Sequence, residues 1–205
     1  MYKFILVIAK FIIFIITGKI NVQEKQNIPV GQYILVAPHR TWWDPIWYAV
    51  AMWPNKFIFM AKKELFKNKI FAAFINKMGG FSVDRQNPGP SAIKIPVKEL
   101  KNGKRSLIIF PSGSRHSQNL AAGAIVIAKL SGKPILPAVY QGPVKFLGLF
   151  KRKSTTIRFG QPFYIDKNME EQEILKKIQK SFDLLDKEID PNWKYVDPKP
   201  KKEAQ

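Results

Sequence analysis

The stretch YILVAPHRTWWDPIWYAVAMW, residues 33–53, changes character twice. YILVAPH (33–39) is a short apolar run ending at a proline, the pattern of a buried strand. From residue 44 the chain reads as a helix, with Asp44 as a candidate N-cap and Pro45 at the first helical position. Between them PHRTWWDP (38–45) sets His39 and Asp44 five positions apart. A buried strand that turns directly into a helix is the repeating unit of an α/β protein.

The same alternation continues outward. KFIFMA (56–61) is a second strand, and KKELFKNKIFAAFINKMGG a helix with Phe66, Ile70, Phe71, Phe74 and Met78 at helical spacing, closed by Gly79-Gly80. FSVDR and SLIIFP (106–111) are strand-like, and between them GPSAIKIPVKELKNG is a helix bent at Pro96. NLAAGAIVIAKLSG is helical, PILPAVY a strand and TTIRFGQPFYI strand-like. An amphipathic helix closes the domain, with Asn168 and Glu171 in capping-box spacing. The expected fold is therefore α/β: a single domain with a central mixed β-sheet flanked by helices. It is preceded by an N-terminal hydrophobic membrane-anchoring helix. The expected boundaries are 1–24 for the anchoring segment, 25–192 for the α/β domain and 193–205 for a disordered basic tail.

Of 205 residues, 46% are apolar and 13% aromatic, which excludes a disordered polymer. The chain has no cysteine, so disulfides, thiolate zinc sites and a cysteine nucleophile are excluded. Lys and Arg outnumber Asp and Glu by 34 to 15, a formal charge of +19, and such a surface seeks a polyanion. Nucleic acid, anionic lipid and phosphorylated substrates all satisfy that charge. No nucleic-acid-binding motif accompanies it, so no nucleic-acid partner is expected.

The most hydrophobic segment is YKFILVIAKFIIFIITGKI (2–20), interrupted between Phe4 and Thr17 only by Lys10. A bilayer span takes ~20 apolar residues, and a lysine mid-helix costs ~2.5–3.5 kcal/mol. The reading adopted is a monotopic anchor with Lys3, Lys10 and Lys19 reaching the headgroups. A single span and a helix buried in the protein are the alternatives.

Three polar loops follow strands: PHRTWWDP, GGFSVDR and FPSGSRHS. On a regular helix His39 and Asp44 would lie about 140° apart, but a loop entering a helix can fold them together. An imidazole with one nitrogen held by a carboxylate is a competent general base. The plainer alternative is that Asp44 merely caps the helix. In FPSGSRHS (110–117), Ser112 and Ser114 offer hydroxyls, Gly113 permits close backbone approach and Arg115 can grip a phosphate; an ordinary polar turn has the same composition. Arg85 ends GGFSVDR, and an ion pair with Asp84 is its plainest role. A G-x-S-x-G elbow, a P-loop and a dinucleotide glycine fingerprint are all absent.

In this order the loops resemble the blocks of the glycerolipid acyltransferases, and most closely the bacterial 1-acyl-glycerol-3-phosphate acyltransferases. His39 and Asp44 match the H-x-x-x-x-D block, and Gly79 and Arg85 match G-x-x-x-x-x-R. Phe110, Pro111, Gly113 and Arg115 match F-P-E-G-T-R, with Ser114 for the threonine. The apolar block with a proline is matched around Pro137, and MAKKEL is also family-like. The resemblance runs from about residue 30 to 160. It implies that His39 takes the proton from a glycerol hydroxyl that attacks an acyl thioester, while Asp44 orients His39. Arg85, Ser112, Gly113, Ser114 and Arg115 would bind the substrate, the two arginines taking the acceptor phosphate. It implies lysophosphatidic acid as acceptor and acyl-carrier protein or acyl-CoA as donor. No metal and no cofactor beyond the thioester co-substrate is implied. The expected place is the cytoplasmic face of the cell membrane, among membrane lipids. The alternatives are another lysophospholipid acceptor, or a non-enzymatic lipid- or nucleic-acid-binding protein.

Two departures fall on the acceptor side. Ser112 stands where the family has a glutamate, and Ala121-Ala122 precede Gly123 where it often has a lysine; His116 and Lys129 are the nearby candidates to compensate. Two further stretches mix basic and apolar residues. The helix 63–78 carries Lys63, Lys67, Lys69 and Lys77 beside its phenylalanines. VKFLGLFKRK (144–153) reads as a lip at the headgroups or as a plain hairpin loop.

Overall fold

The computed structural model describes residues 2–41, 43–84, 87–112, 117–151, 154–166 and 168–196. Among them seven strands form one sheet: β1 (Ile20–Gln23), β2 (Ile34–Pro38), β3 (Phe57–Lys62), β4 (Gly80–Val83), β5 (Ser106–Ser112), β6 (Ile135–Gln141) and β7 (Thr155–Phe159). Their order is β1-β7-β6-β2-β5-β3-β4. Every pairing is parallel except β6 with β7, so the sheet is mixed, as expected.

The helices are α1 (Tyr2–Thr17), α2 (Asp44–Ala51), α3 (Lys69–Lys77), α4 (Ser91–Asn102), α5 (Ser117–Ser131), the single turn α6 (Phe146–Leu149) and α7 (Glu171–Ile189). Strand residues alternate between two cores, which explains the continuous apolar runs. Leu35 and Ala37 of β2 pack with Leu6, Trp43, Trp47 and Leu149, on the side of α1, α2 and α6. Ile34 and Val36 pack with Leu100, Ile125, Ile178 and Phe182, on the side of α4, α5 and α7. The parallel strands β2, β5, β3 and β4 end along one edge, where the polar loops emerge.

Away from the turn 39–44, the structure corrects the sequence reading at four places. Residues 20–23, expected within the anchoring segment, form β1 and extend the sheet beside β7. The helix expected from residue 62 is divided: Lys63–Phe66 is a 3₁₀ turn, and α3 begins after Asn68, whose side chain accepts from the N–H groups of Ile70 and Phe71 at 3.0 and 3.1 Å. The Asn168–Glu171 capping box does not form, because α7 starts after Glu170 and the N–H of Asn168 turns to Asp166 instead. Trp193 and Tyr195, assigned to the tail, pack against Arg40; residues 197–205 lie outside the described residues.

α1 buries Leu6 and Ile13 against the body and exposes Phe4, Val7, Phe11, Phe14 and Ile15. Among the described residues no helix is long and apolar enough to cross a membrane.

Candidate active site

β2 delivers His39 to the edge of the sheet, and the turn that follows is built by Asp44. The carboxylate accepts from the backbone N–H of Arg40 at 2.7 Å and of Thr41 at 2.8 Å through Oδ2, and from the Thr41 hydroxyl through Oδ1. Asp44 is thus not the N-cap but the first residue of α2, and its side chain reaches back to close the turn. It is wholly buried, so these donors replace the water it has lost. The first turn of a helix also favours a negative charge.

The same Oδ2 lies 3.3 Å from Nδ1 of His39. That nitrogen is buried, and its alignment with Oδ2 falls short of a good hydrogen bond. Such contacts are commonly loose before substrate binds. The His39 side chain is 34% exposed, so its exposure lies on the ring edge away from Nδ1. Its ring packs on Phe110, centroids 4.8 Å apart. The geometry is that of an imidazole held by a buried carboxylate on one side and open to a reactant on the other.

Phe110 comes from β5, the neighbour of β2. Register sets Pro38 opposite Ser112, so β5 ends beside His39. Ser112 ends β5, while Gly113, Ser114, Arg115 and His116 lie outside the described residues. Arg85 does too; β4, which leads to it, lies three strands from β2, a distance of about 14 Å. Asp84 pairs with Lys63. Gly79 has a structural reason: its φ is +91°, and a Cβ there would sit 2.0 Å from the carbonyl oxygen of Phe57. Pro137 lies inside β6 opposite Val36 and serves the sheet. Lys129 donates to the carbonyl of Met169 at 2.8 Å, an anchorage at the start of α7. Trp43 is buried against Trp47 and Phe146, ring centroids 6.3 and 6.4 Å away.

Two neighbours of the pair had no signal in the sequence. Tyr48, one helical turn after Asp44, buries its hydroxyl with no hydrogen-bond partner among the described residues. Burial, and then the Asp44 charge, push this phenol well above its ordinary pKa, so it stays neutral beneath the carboxylate. Arg40 is buried although charged. A groove of about 520 Å³, lined by His39, Arg40, Gln179, Asp183, Lys187 and Tyr195 among others, opens beside the imidazole. Among the described residues no cluster of His, Asp and Glu is arranged to hold a metal.

An imidazole backed by a buried carboxylate at the strand ends of an α/β sheet has the geometry of a general base, and comparison with known proteins gives the class of protein. The family described as Acyltransferase matches residues 19–141. The 1-acyl-sn-glycerol-3-phosphate acyltransferase of Streptococcus pneumoniae is 44% identical over 91% of this chain and 74% of its own length. The enzyme of the same name from Bacillus subtilis is 41% identical over 80% of this chain and 83% of its own. The crystal structure of the 1-acyl-sn-glycerophosphate (LPA) acyltransferase from Thermotoga maritima shares the fold. Its TM-score is 0.69 at 21% identity, over 94% of this chain and 81% of that one. The chain belongs to the acyltransferase family and is an acyltransferase.

Proposed function

We propose that the enzyme transfers a fatty acyl group from a thioester, acyl-carrier protein or acyl-CoA, to the free hydroxyl of 1-acyl-glycerol-3-phosphate, giving phosphatidic acid for phospholipid synthesis. The observation that carries the reading is the His39–Asp44 pair: Nδ1 buried 3.3 Å from a fully buried carboxylate, the rest of the ring accessible.

In this mechanism the exposed nitrogen of His39 takes the hydroxyl proton as the oxygen attacks the thioester carbonyl carbon. Asp44 holds the ring and stabilises the imidazolium. The C–O bond forms, the C–S bond breaks, and the proton passes from His39 to the departing thiolate. A thioester is already activated, so no covalent acyl-enzyme is needed. Ser112 ends β5 beside the imidazole; it is assigned to substrate binding with Gly113, Ser114, Arg115 and Arg85, the two arginines taking the acceptor phosphate and backbone amides near Gly113 the developing oxyanion. Because Ser112 replaces the family's glutamate on that side, another lysophospholipid is the second acceptor to test.

The enzyme works on a membrane surface, at the cytoplasmic face. α1 and α6 pack on one side of the sheet through Ile13 and Leu149, and Met78, which follows α3, packs on the same side. All three helices also leave apolar side chains exposed, including Phe11, Ile70 and Leu147. Lys10, Lys69 and Lys145 border them in the sequence and are exposed, and basic residues near anionic lipid gain ~1 kcal/mol each.

The test is acyl transfer from labelled acyl-carrier protein or acyl-CoA to lysophosphatidic acid in mixed micelles. Wild type should form phosphatidic acid, and His39→Ala should lose at least ~10²-fold. A folded wild type that acylates a different lysolipid transfers the reading to that acceptor. Activity that survives His39→Ala would refute the assigned base.

A further inference from the structure

Arg40, between the two members of the pair, is held through its backbone N–H, its carbonyl and both terminal nitrogens of its guanidinium. Its N–H donates to Asp44 at 2.7 Å. Its carbonyl accepts from the Tyr195 hydroxyl at 3.1 Å. Its guanidinium donates with both terminal nitrogens to the Asp186 carboxylate, and with Nη1 to the carbonyl of Tyr140 at the end of β6. The Trp193 ring covers the guanidinium at 4.2 Å. Asp186 is in turn held by Gln141, whose amide donates to its carboxylate at 3.0 Å and its carbonyl at 2.8 Å.

An ordinary turn residue carries no such network. A buried guanidinium is stable only when fully paired, and Arg offers the planar fork that a bidentate carboxylate requires. α7 lies on the opposite side of the sheet from α2. The turn 39–44 is therefore fastened on one side by Asp44 in α2 and on the other by Asp186 in α7. Arg40 is the residue common to both.

We propose that Arg40, Asp186 and the segment carrying Trp193 and Tyr195 form a clamp that positions His39 against Asp44. Arg40, Asp186, Trp193 and Tyr195 are all positioning residues. The effect on rate rests on the acyl-transfer reading; the effect on the turn does not. Small displacements of a catalytic group lower kcat steeply without weakening substrate binding.

Asp186→Asn and, independently, Trp193→Ala are compared with wild type in the full-length enzyme in micelles. The clamp predicts a kcat lowered about tenfold or more with KM within about twofold. It also predicts faster amide exchange at Arg40 and Thr41, whose N–H groups bond to Asp44, with exchange in β6 unchanged. Trp193→Ala removes only a covering ring, so it carries the test should Asp186→Asn fail to fold. The double variant Arg40→Met/Asp186→Leu replaces the ion pair with apolar groups, which commonly restores stability. The clamp predicts that its kcat remains low once Tm has recovered. Recovery of kcat together with Tm would show a purely structural pair and overturn the proposal. So would a folded Asp186→Asn or Trp193→Ala enzyme with wild-type kcat and wild-type exchange at Arg40 and Thr41. If wild type acylates no lysolipid, the functional reading fails, and the exchange measurement still decides the clamp.

Discussion

The imidazole of His39 rests on the ring of Phe110, centroids 4.8 Å apart and planes 32° from parallel. The two residues come from adjacent parallel strands, and their contact joins the first loop of the site to the third. Phe110 thus supports the base from one side while Asp44 holds it from another.

Replacing Phe110 with alanine should free the imidazole to rock away from Nδ1–Oδ2 contact. We expect kcat to fall about tenfold, since an ångström of misplacement costs up to ~10²-fold. Stability should fall by about 1–3 kcal/mol, less than for a fully buried phenylalanine because this ring is half-buried. Phe110→Leu should recover most of the stability and only part of the rate. Steady-state kinetics beside urea unfolding separates the two.

Asp44→Asn tests the carboxylate itself. An asparagine can set its one oxygen where Oδ2 accepts from the N–H groups of Arg40 and Thr41, with its NH₂ donating to the Thr41 hydroxyl, but it brings no charge to stabilise the imidazolium. Rate should fall by ~10²–10⁴, and the turn should lose about 1 kcal/mol as charge-assisted hydrogen bonds become neutral ones. A variant as active as wild type would remove Asp44 from the mechanism.

Glu99 supplies a pH-dependent test of the scaffold. It closes the end of α4 by pairing with Arg105, Nε and Nη2 each 3.0 Å from a carboxylate oxygen. The hydrogen bonds from Arg105 hold its carboxyl below the usual 4.5. A depressed carboxyl pKa adds stability that is present above the unfolded value and lost as pH falls through the folded one. Glu99→Gln should therefore be about 1 kcal/mol less stable near pH 7. The difference should vanish in acid below the folded value. Thermal unfolding of both proteins across pH 3–7 reads this directly.

The turn α6 and its flank expose Phe146, Leu147 and Phe150 while Leu149 is buried. Changing Leu147 and Phe150 to serine should weaken binding to vesicles containing anionic lipid by about tenfold, ~1.4 kcal/mol. Tm should stay within a few degrees. Equal vesicle binding by the variant would show that this lip does not touch lipid.

What the sequence determined by itself is the part governed by short-range physics. Apolar runs and helical periodicity mark β2, β3, β5, β6, α5 and α7, because side-chain direction repeats every two or 3.6 residues. His39 and Asp44 were legible as a pair because both lie in one turn, although the capping role expected of Asp44 was wrong: its carboxylate points back along the loop. The order of the three loops was legible as a family pattern. The strands that lead to them end along one edge because they are parallel, which the sequence implies only through alternation with helices.

Only the tertiary structure decided the rest. β1 joins the sheet by pairing with β7, across more than half of the chain, and nothing in INVQ announces that partner. Phe110 meets His39 because β5 is inserted beside β2. Arg40 finds Asp186 146 residues later in the chain. Such partners are chosen by which surfaces pack together once the two cores are buried, and a charge that must be paired takes whichever opposite charge that packing brings within reach.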